Sequence, residues 1–126
     1  MALVAVSVTS MIFRPKVQGH LPVCRSNLKN IATALDFYAA DNAGKYPESL
    51  DRLANGYFLK AIPTCPAAGK VTYLDYQVST EMDFFSVSCC GDNHREAYSG
   101  YWPKSFRPDS RGYPKYNSRD GLISHP

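Results

Sequence analysis

Apolar residues recur at Leu28, Ile31, Ala32, Leu35, Tyr38 and Ala39, the three-and-four spacing that puts side chains on one face of an α-helix. Asn27, Lys29, Asn30, Thr33, Asp36 and Asp41 fill the opposite, wettable side. The spacing predicts a helix over residues 23–43, with Leu28, Ile31, Leu35 and Tyr38 as its packing face. Gln18-Gly19-His20-Leu21-Pro22 delays its start, since proline suits only an opening turn and glycine weakens a helix interior. Asn42-Ala43-Gly44 ends it, and Lys45-Tyr46-Pro47 leads away. A short second helix is expected over 47–55, with Pro47 in its first turn and Asn55-Gly56 as a left-handed stop. Tyr57 to Ile62 then leads into Pro63-Thr64-Cys65-Pro66, a rigid crossing loop.

From Val71 the period changes to two. Val71, Tyr73 and Asp75 alternate with Thr72, Leu74, Tyr76 and Val78, which predicts a strand over 71–78. Ser79 to Asp83 turns the chain into a second strand over 84–90, with Phe85, Val87 and Cys89 on one face and Phe84, Ser86, Ser88 and Cys90 on the other. A two-stranded ribbon is marginal in water, so the helix, or a third strand from the tail, must complete it. Residues 91–126 keep no sustained period and are expected to form an irregular, aromatic-rich loop. The fold class is therefore α+β, a long N-terminal helix packed against a small antiparallel sheet.

Length and charge narrow the field. A chain of 126 residues is one domain's worth. Its net charge of +3 comes from the front, where Arg14, Lys16, Arg25 and Lys29 precede the first acidic residue. Basic residues without a groove or stacking platform argue against nucleic-acid binding as the main role. Residues 1–17 begin with the apolar run MALVAVSVTSMIF, shorter than the roughly 20 residues that span a bilayer, and read as a residual piece of a longer hydrophobic anchor. Residues 18–126 form the globular head. Four of the chain's nine tyrosines and four of its nine prolines fall in the last third with Trp102, as in an ordered lid over the sheet, with Tyr101 and Trp102 as the residues for surface or partner contact.

In order along the chain come Gln18-Gly19, the run from Cys24 to Leu35, Asp41-Asn42 with Lys45-Tyr46-Pro47 and Leu50, and Ile62-Pro63-Thr64-Cys65-Pro66-Ala67-Ala68-Gly69. Then come Cys89-Cys90-Gly91-Asp92-Asn93-His94, Tyr113-Pro114-Lys115-Tyr116 and Gly121-Leu122-Ile123. This series resembles the type IV pilin and type II secretion pseudopilin superfamily, although residues 1–17 lack its basic leader, processing site and early glutamate. The resemblance implies a non-enzymatic structural subunit of a type II secretion or type IV pilus-type apparatus, anchored in the inner membrane with a periplasmic or extracellular head. Its partners would be other pilin-like subunits or components of the secretion apparatus. The alternative is a freestanding, exported, disulfide-stabilised binding module that lost the assembly helix.

Four cysteines, Cys24, Cys65, Cys89 and Cys90, form an even set that reads as two crosslinks in an exported domain. Cys89 and Cys90 point to opposite faces of a strand and are poorly placed to join each other. Cys89 shares the face of Phe85 and Val87, and Cys24 shares the helical stripe, so the expected pairs are Cys24 with Cys89 and Cys65 with Cys90. Zinc at Cys65, Cys89, Cys90 and His94 is the rival. It ranks lower because zinc sites usually come from Cys-x2-Cys pairs, and no metal or cofactor is expected. A nucleophile pair of Cys90 and His94, oriented by Asp92 or Asn93, ranks lower again, since catalytic partners normally converge from separate elements. Asp92 and Asn93 have a plain use as turn formers.

Overall fold

The computed structural model describes residues 16–99 and 109–124. They form helix α1 (Lys16–Asp41), a 3-10 turn (Leu50–Leu53), strands β1 (Gln77–Val78) and β2 (Phe85–Ser88), helix α2 (Arg95–Ser99), and strands β3 (Lys115–Asn117) and β4 (Gly121–Ile123). The sheet is an antiparallel meander in the order β1-β2-β3-β4. The architecture is α+β. Among the described residues, no helix is long and apolar enough to cross a membrane.

Helix α1 starts earlier than residue 23 and carries Pro22 inside it. An interior proline removes one helical hydrogen bond and costs about 3 kcal/mol. Tertiary contact offsets that cost: Leu21 is buried against Ala97, Tyr98 and Tyr113, which extends the apolar stripe back through the proline. At the other end Ala43 and Gly44 both take left-handed conformations, φ 58° and 79°, and the Gly44 N–H closes the helix on the Ala39 carbonyl at 2.8 Å. The left-handed region is costly for most residues and easy for glycine.

The Lys45-Tyr46-Pro47 junction is tied to the turn after β1. The Tyr46 N–H donates to the Met82 carbonyl (2.8 Å), Lys45 Nζ to the Glu81 carbonyl (2.9 Å), and the Tyr76 hydroxyl to the Pro47 carbonyl (2.7 Å). Pro47 therefore lies in an extended, buried approach rather than in a helix, and the expected helix over 47–55 shrinks to one 3-10 turn capped by Ser49, whose side chain accepts from the Asp51 N–H.

The main core lies between α1 and the sheet. Leu28, Ile31 and Leu35 are fully buried with Leu53, Phe85 and Val87, and Tyr38 is partly buried against the same cluster. Complete burial of each such aliphatic side chain contributes about 1.5–3 kcal/mol. Phe85 anchors the sheet side, edge-on to Tyr46 at 4.8 Å and stacked on Tyr116 at 6.0 Å.

Two strand expectations are corrected. In 71–78 only Gln77–Val78 pairs with β2. Alternation fails upstream: Thr72 and Tyr73 are both buried while Leu74 is 75% exposed. The backbone is diverted there because Asp75 accepts from the Ser88 N–H and hydroxyl, and the Cys90 N–H donates to the Thr72 carbonyl, so side chain and backbone replace a regular ladder. Strand 84–90 is regular over Phe85–Ser88, with Phe85, Val87 and then Cys89 inward.

Residues 91–126 are not one loop. They supply α2 and two of the four strands, with β3 pairing β2 through Val87 opposite Tyr116, and β4 pairing β3 through Tyr116 opposite Leu122. Of the strands, it is β3 and β4, from the tail, that lie closest along α1. Asn117 builds the tight connection by accepting from the Arg119 and Asp120 N–H groups, and Gly121 (φ 77°) completes it. Tyr101 and Trp102, with residues 1–15 of the expected anchor, lie outside the described residues.

Candidate metal centre

Three separate segments deliver a sulfur to one buried point. Cys24 comes from the inward stripe of α1, one turn before Leu28. Cys65 comes from the crossing loop. Cys89 follows β2 on the face of Phe85 and Val87. His94 joins them from the turn that precedes α2. The ligand atoms of Cys24, Cys65, Cys89 and His94 all lie within 4.8 Å of one another, and all four residues are buried.

The closest edges are measured directly. Cys65 Sγ and Cys89 Sγ are 3.6 Å apart, and His94 Nε2 is 3.4 Å from Cys65 Sγ and 3.6 Å from Cys89 Sγ. The turn that presents Cys65 is closed by the Gly69 N–H on the Cys65 carbonyl (2.8 Å), by a backbone bridge between Cys65 and Lys70, and by a left-handed Gly69 at φ 71°. Backbone hydrogen bonds from Ala68 and Ala67 reach the Cys65 sulfur.

Polar groups surround the other sulfurs. The Tyr73 hydroxyl is 3.0 Å from Cys24 Sγ, and Asn27 Nδ2 donates to the same hydroxyl at 3.2 Å. The Thr72 hydroxyl is 3.1 Å from Cys89 Sγ, and Asn93 Nδ2 donates to that sulfur at 3.5 Å and to the Cys90 carbonyl at 2.7 Å. This explains why Thr72 and Tyr73 both turn inward: each brings a hydroxyl to a cysteine.

Electrostatics separates the thiols. Hydrogen bonding from the Cys24 thiol, followed by that from His94, Thr72 and Asn93, holds Cys89 well below the ordinary thiol range. Its partner Cys24 is pushed up, first by that same hydrogen bond and then by burial. Burial also raises Cys65. Three cysteines and an imidazole brought together in this way can bind a soft or borderline cation.

The four cysteines are free thiols, and their grouping differs from the expected pairs. Cys24 does lie beside Cys89, but Cys65 adjoins Cys89 and His94 rather than Cys90. Cys90 is half-buried toward Leu74 and Asp75, outside the cluster. The strand geometry that sends Cys89 inward sends its neighbour away. For the same reason Cys90 and His94 do not form a nucleophile pair: the imidazole is 1% exposed and faces Cys65 and Cys89. Asp92 accepts from the Ser110 hydroxyl.

The missed ligand is Cys24. Its place on the apolar stripe was legible, but its convergence with Cys65 and His94 spans 41 and 70 positions in the chain and no local spacing encodes it. No protein-family model, no curated protein and no solved structure matches this chain.

Proposed function

We propose that this protein is a non-enzymatic, pilin-like structural subunit of a type II secretion or type IV pilus-type apparatus, anchored at the inner membrane with its head in the periplasm or outside the cell. The observation that carries the reading is the relation of one long helix to one small sheet: α1 lays Leu28, Ile31 and Leu35 on an antiparallel meander, with the Lys45-Tyr46-Pro47 junction bonded to the turn between β1 and β2. A long helix laid along a small sheet and buried from Leu21 to Ala39 suits the head of a subunit that works by packing its helix among copies. The surface adds support, since Phe37 and Tyr57 are 64% and 75% exposed and would be covered by a neighbouring subunit. The buried thiol and imidazole groups are out of reach of a substrate, in keeping with a structural role.

Fractionation of the source bacterium with an antiserum to the head tests this reading. The expected result is recovery with the membrane and, after mechanical shearing, in a high-mass surface fraction. Recovery of the chain as a soluble monomer in the cytosol would overturn it.

A further inference from the structure

We propose that Cys24, Cys65, Cys89 and His94 form a closed, four-ligand zinc site that ties the front of α1, the 65–70 turn and the end of β2 together. The inference goes beyond the role in export and stands on the geometry of the cluster alone.

Three of the six edges have the lengths of a tetrahedron around zinc. Bonds of about 2.3 Å to sulfur and about 2.0–2.1 Å to nitrogen place two sulfurs about 3.8 Å apart, and a sulfur and a nitrogen about 3.6 Å apart. The observed edges are 3.6 Å between Cys65 and Cys89, and 3.4 and 3.6 Å from these sulfurs to His94 Nε2. Cys24 completes the set within the same 4.8 Å span. Three thiolates with one imidazole favour zinc among the available divalent cations, because thiolate and imidazole are the donors it takes and it accepts tetrahedral geometry without preference. With four protein ligands, all at or below 1% exposure, no position is left for water or substrate, so the site is structural.

Charge and hydrogen bonding fit the bound state. Loading replaces three thiol protons by one divalent cation, releasing three protons and leaving the centre with one net negative charge. A buried anion needs donors. The Tyr73 hydroxyl is placed to donate to Cys24, the Thr72 hydroxyl and Asn93 amide to Cys89, and the Ala67 and Ala68 N–H groups to Cys65. A fully buried cluster of thiols has no need of so many donors. Thiolates bound to a metal do, and such outer hydrogen bonds orient the ligands. The imidazole points Nε2 into the cluster, which leaves Nδ1 to carry the proton of the neutral, metal-binding tautomer; Nδ1 has no hydrogen-bond partner among the described residues.

Disulfides are the competing chemistry. Three mutually adjacent sulfurs cannot all be paired, and Cys90 is turned away from them. One bond among the three would strand the third thiol and the imidazole in the core, whereas zinc uses all four groups in any compartment.

The test uses the full chain without a polyhistidine tag, purified under reducing conditions. The expected result is about one zinc per chain by elemental analysis, released when a mercurial reagent titrates the thiols. Cobalt substituted for zinc should show the intense visible bands of a tetrahedral site and the sulfur-to-cobalt charge transfer of three thiolates. Cys90→Ser should keep the metal, His94→Cys should keep it with a fourth thiolate signature, and Cys65→Ser should lose it. Should Cys65→Ser fail to fold, the cobalt spectrum of the unaltered protein still counts the thiolates. Failure of the unaltered protein to bind either metal, a spectrum with fewer than three thiolates, or a native disulfide joining any two of Cys24, Cys65 and Cys89 would overturn the proposal. None of these outcomes depends on whether the chain joins an export apparatus.

Discussion

The two ends of the buried interface are held by different physics. Around Leu28, Ile31, Leu35 and Phe85 the contacts are apolar and non-directional, and each side chain contributes through the area it removes from water. Around Cys24, Cys65, Cys89 and His94 the same helix and sheet meet through sulfur, imidazole, hydroxyl and amide groups whose value depends on angle and partner. The apolar end therefore tolerates repacking by residues of similar volume. The thiol end does not: a network missing one member leaves the others buried and unpaired.

The largest effect that would separate the two ends is at Leu35. Leu35→Asp places a charge in a fully buried position with no partner and should cost more than about 4 kcal/mol, so thermal unfolding followed by circular dichroism should find the domain unfolded at ordinary temperatures with or without zinc. A parent-like melting temperature would mean that the stripe carries no load. Next in size is Tyr73→Phe, which removes only the hydroxyl beside Cys24. Stability should fall by about 1 kcal/mol, and metal affinity by about tenfold or more in competition with a chelator. An unchanged affinity would separate Tyr73 from the site. The smallest effect belongs to Cys90→Ser, expected to shift stability by less than about 0.5 kcal/mol because its half-buried side chain lies outside the cluster. A large loss there would mean that Cys90, not its neighbour, is the structural thiol.

The same contrast explains which parts of the molecule were legible in the sequence. The helical stripe could be read because burial on one face leaves a period, and Phe85, Val87 and Cys89 could be read because a strand with one covered face alternates. The stop at Gly44 was legible in turn chemistry. Pro22 misled, since the rule it obeys is local and the contacts of Leu21 with Ala97 and Tyr98 are not. Val71 to Tyr76 misled in the opposite sense: the alternation is present in the residues, but Thr72 and Tyr73 are drawn to two different cysteines. The hairpin of β3 and β4 left a weak signal in Asn117, Asp120 and Gly121, too short for periodicity to register.

From its residues alone this chain is determined to be α+β, with an inward face on its long helix and two cysteines, Cys24 and Cys89, on inward-facing positions. Only the tertiary structure decided what those faces meet: two strands from the tail complete the sheet, and one imidazole joins three sulfurs. The physical reason is that a period records how often a side chain is covered, and this depends on neighbours a few positions away. The identity of the covering group depends on where distant segments cross, which no local pattern encodes.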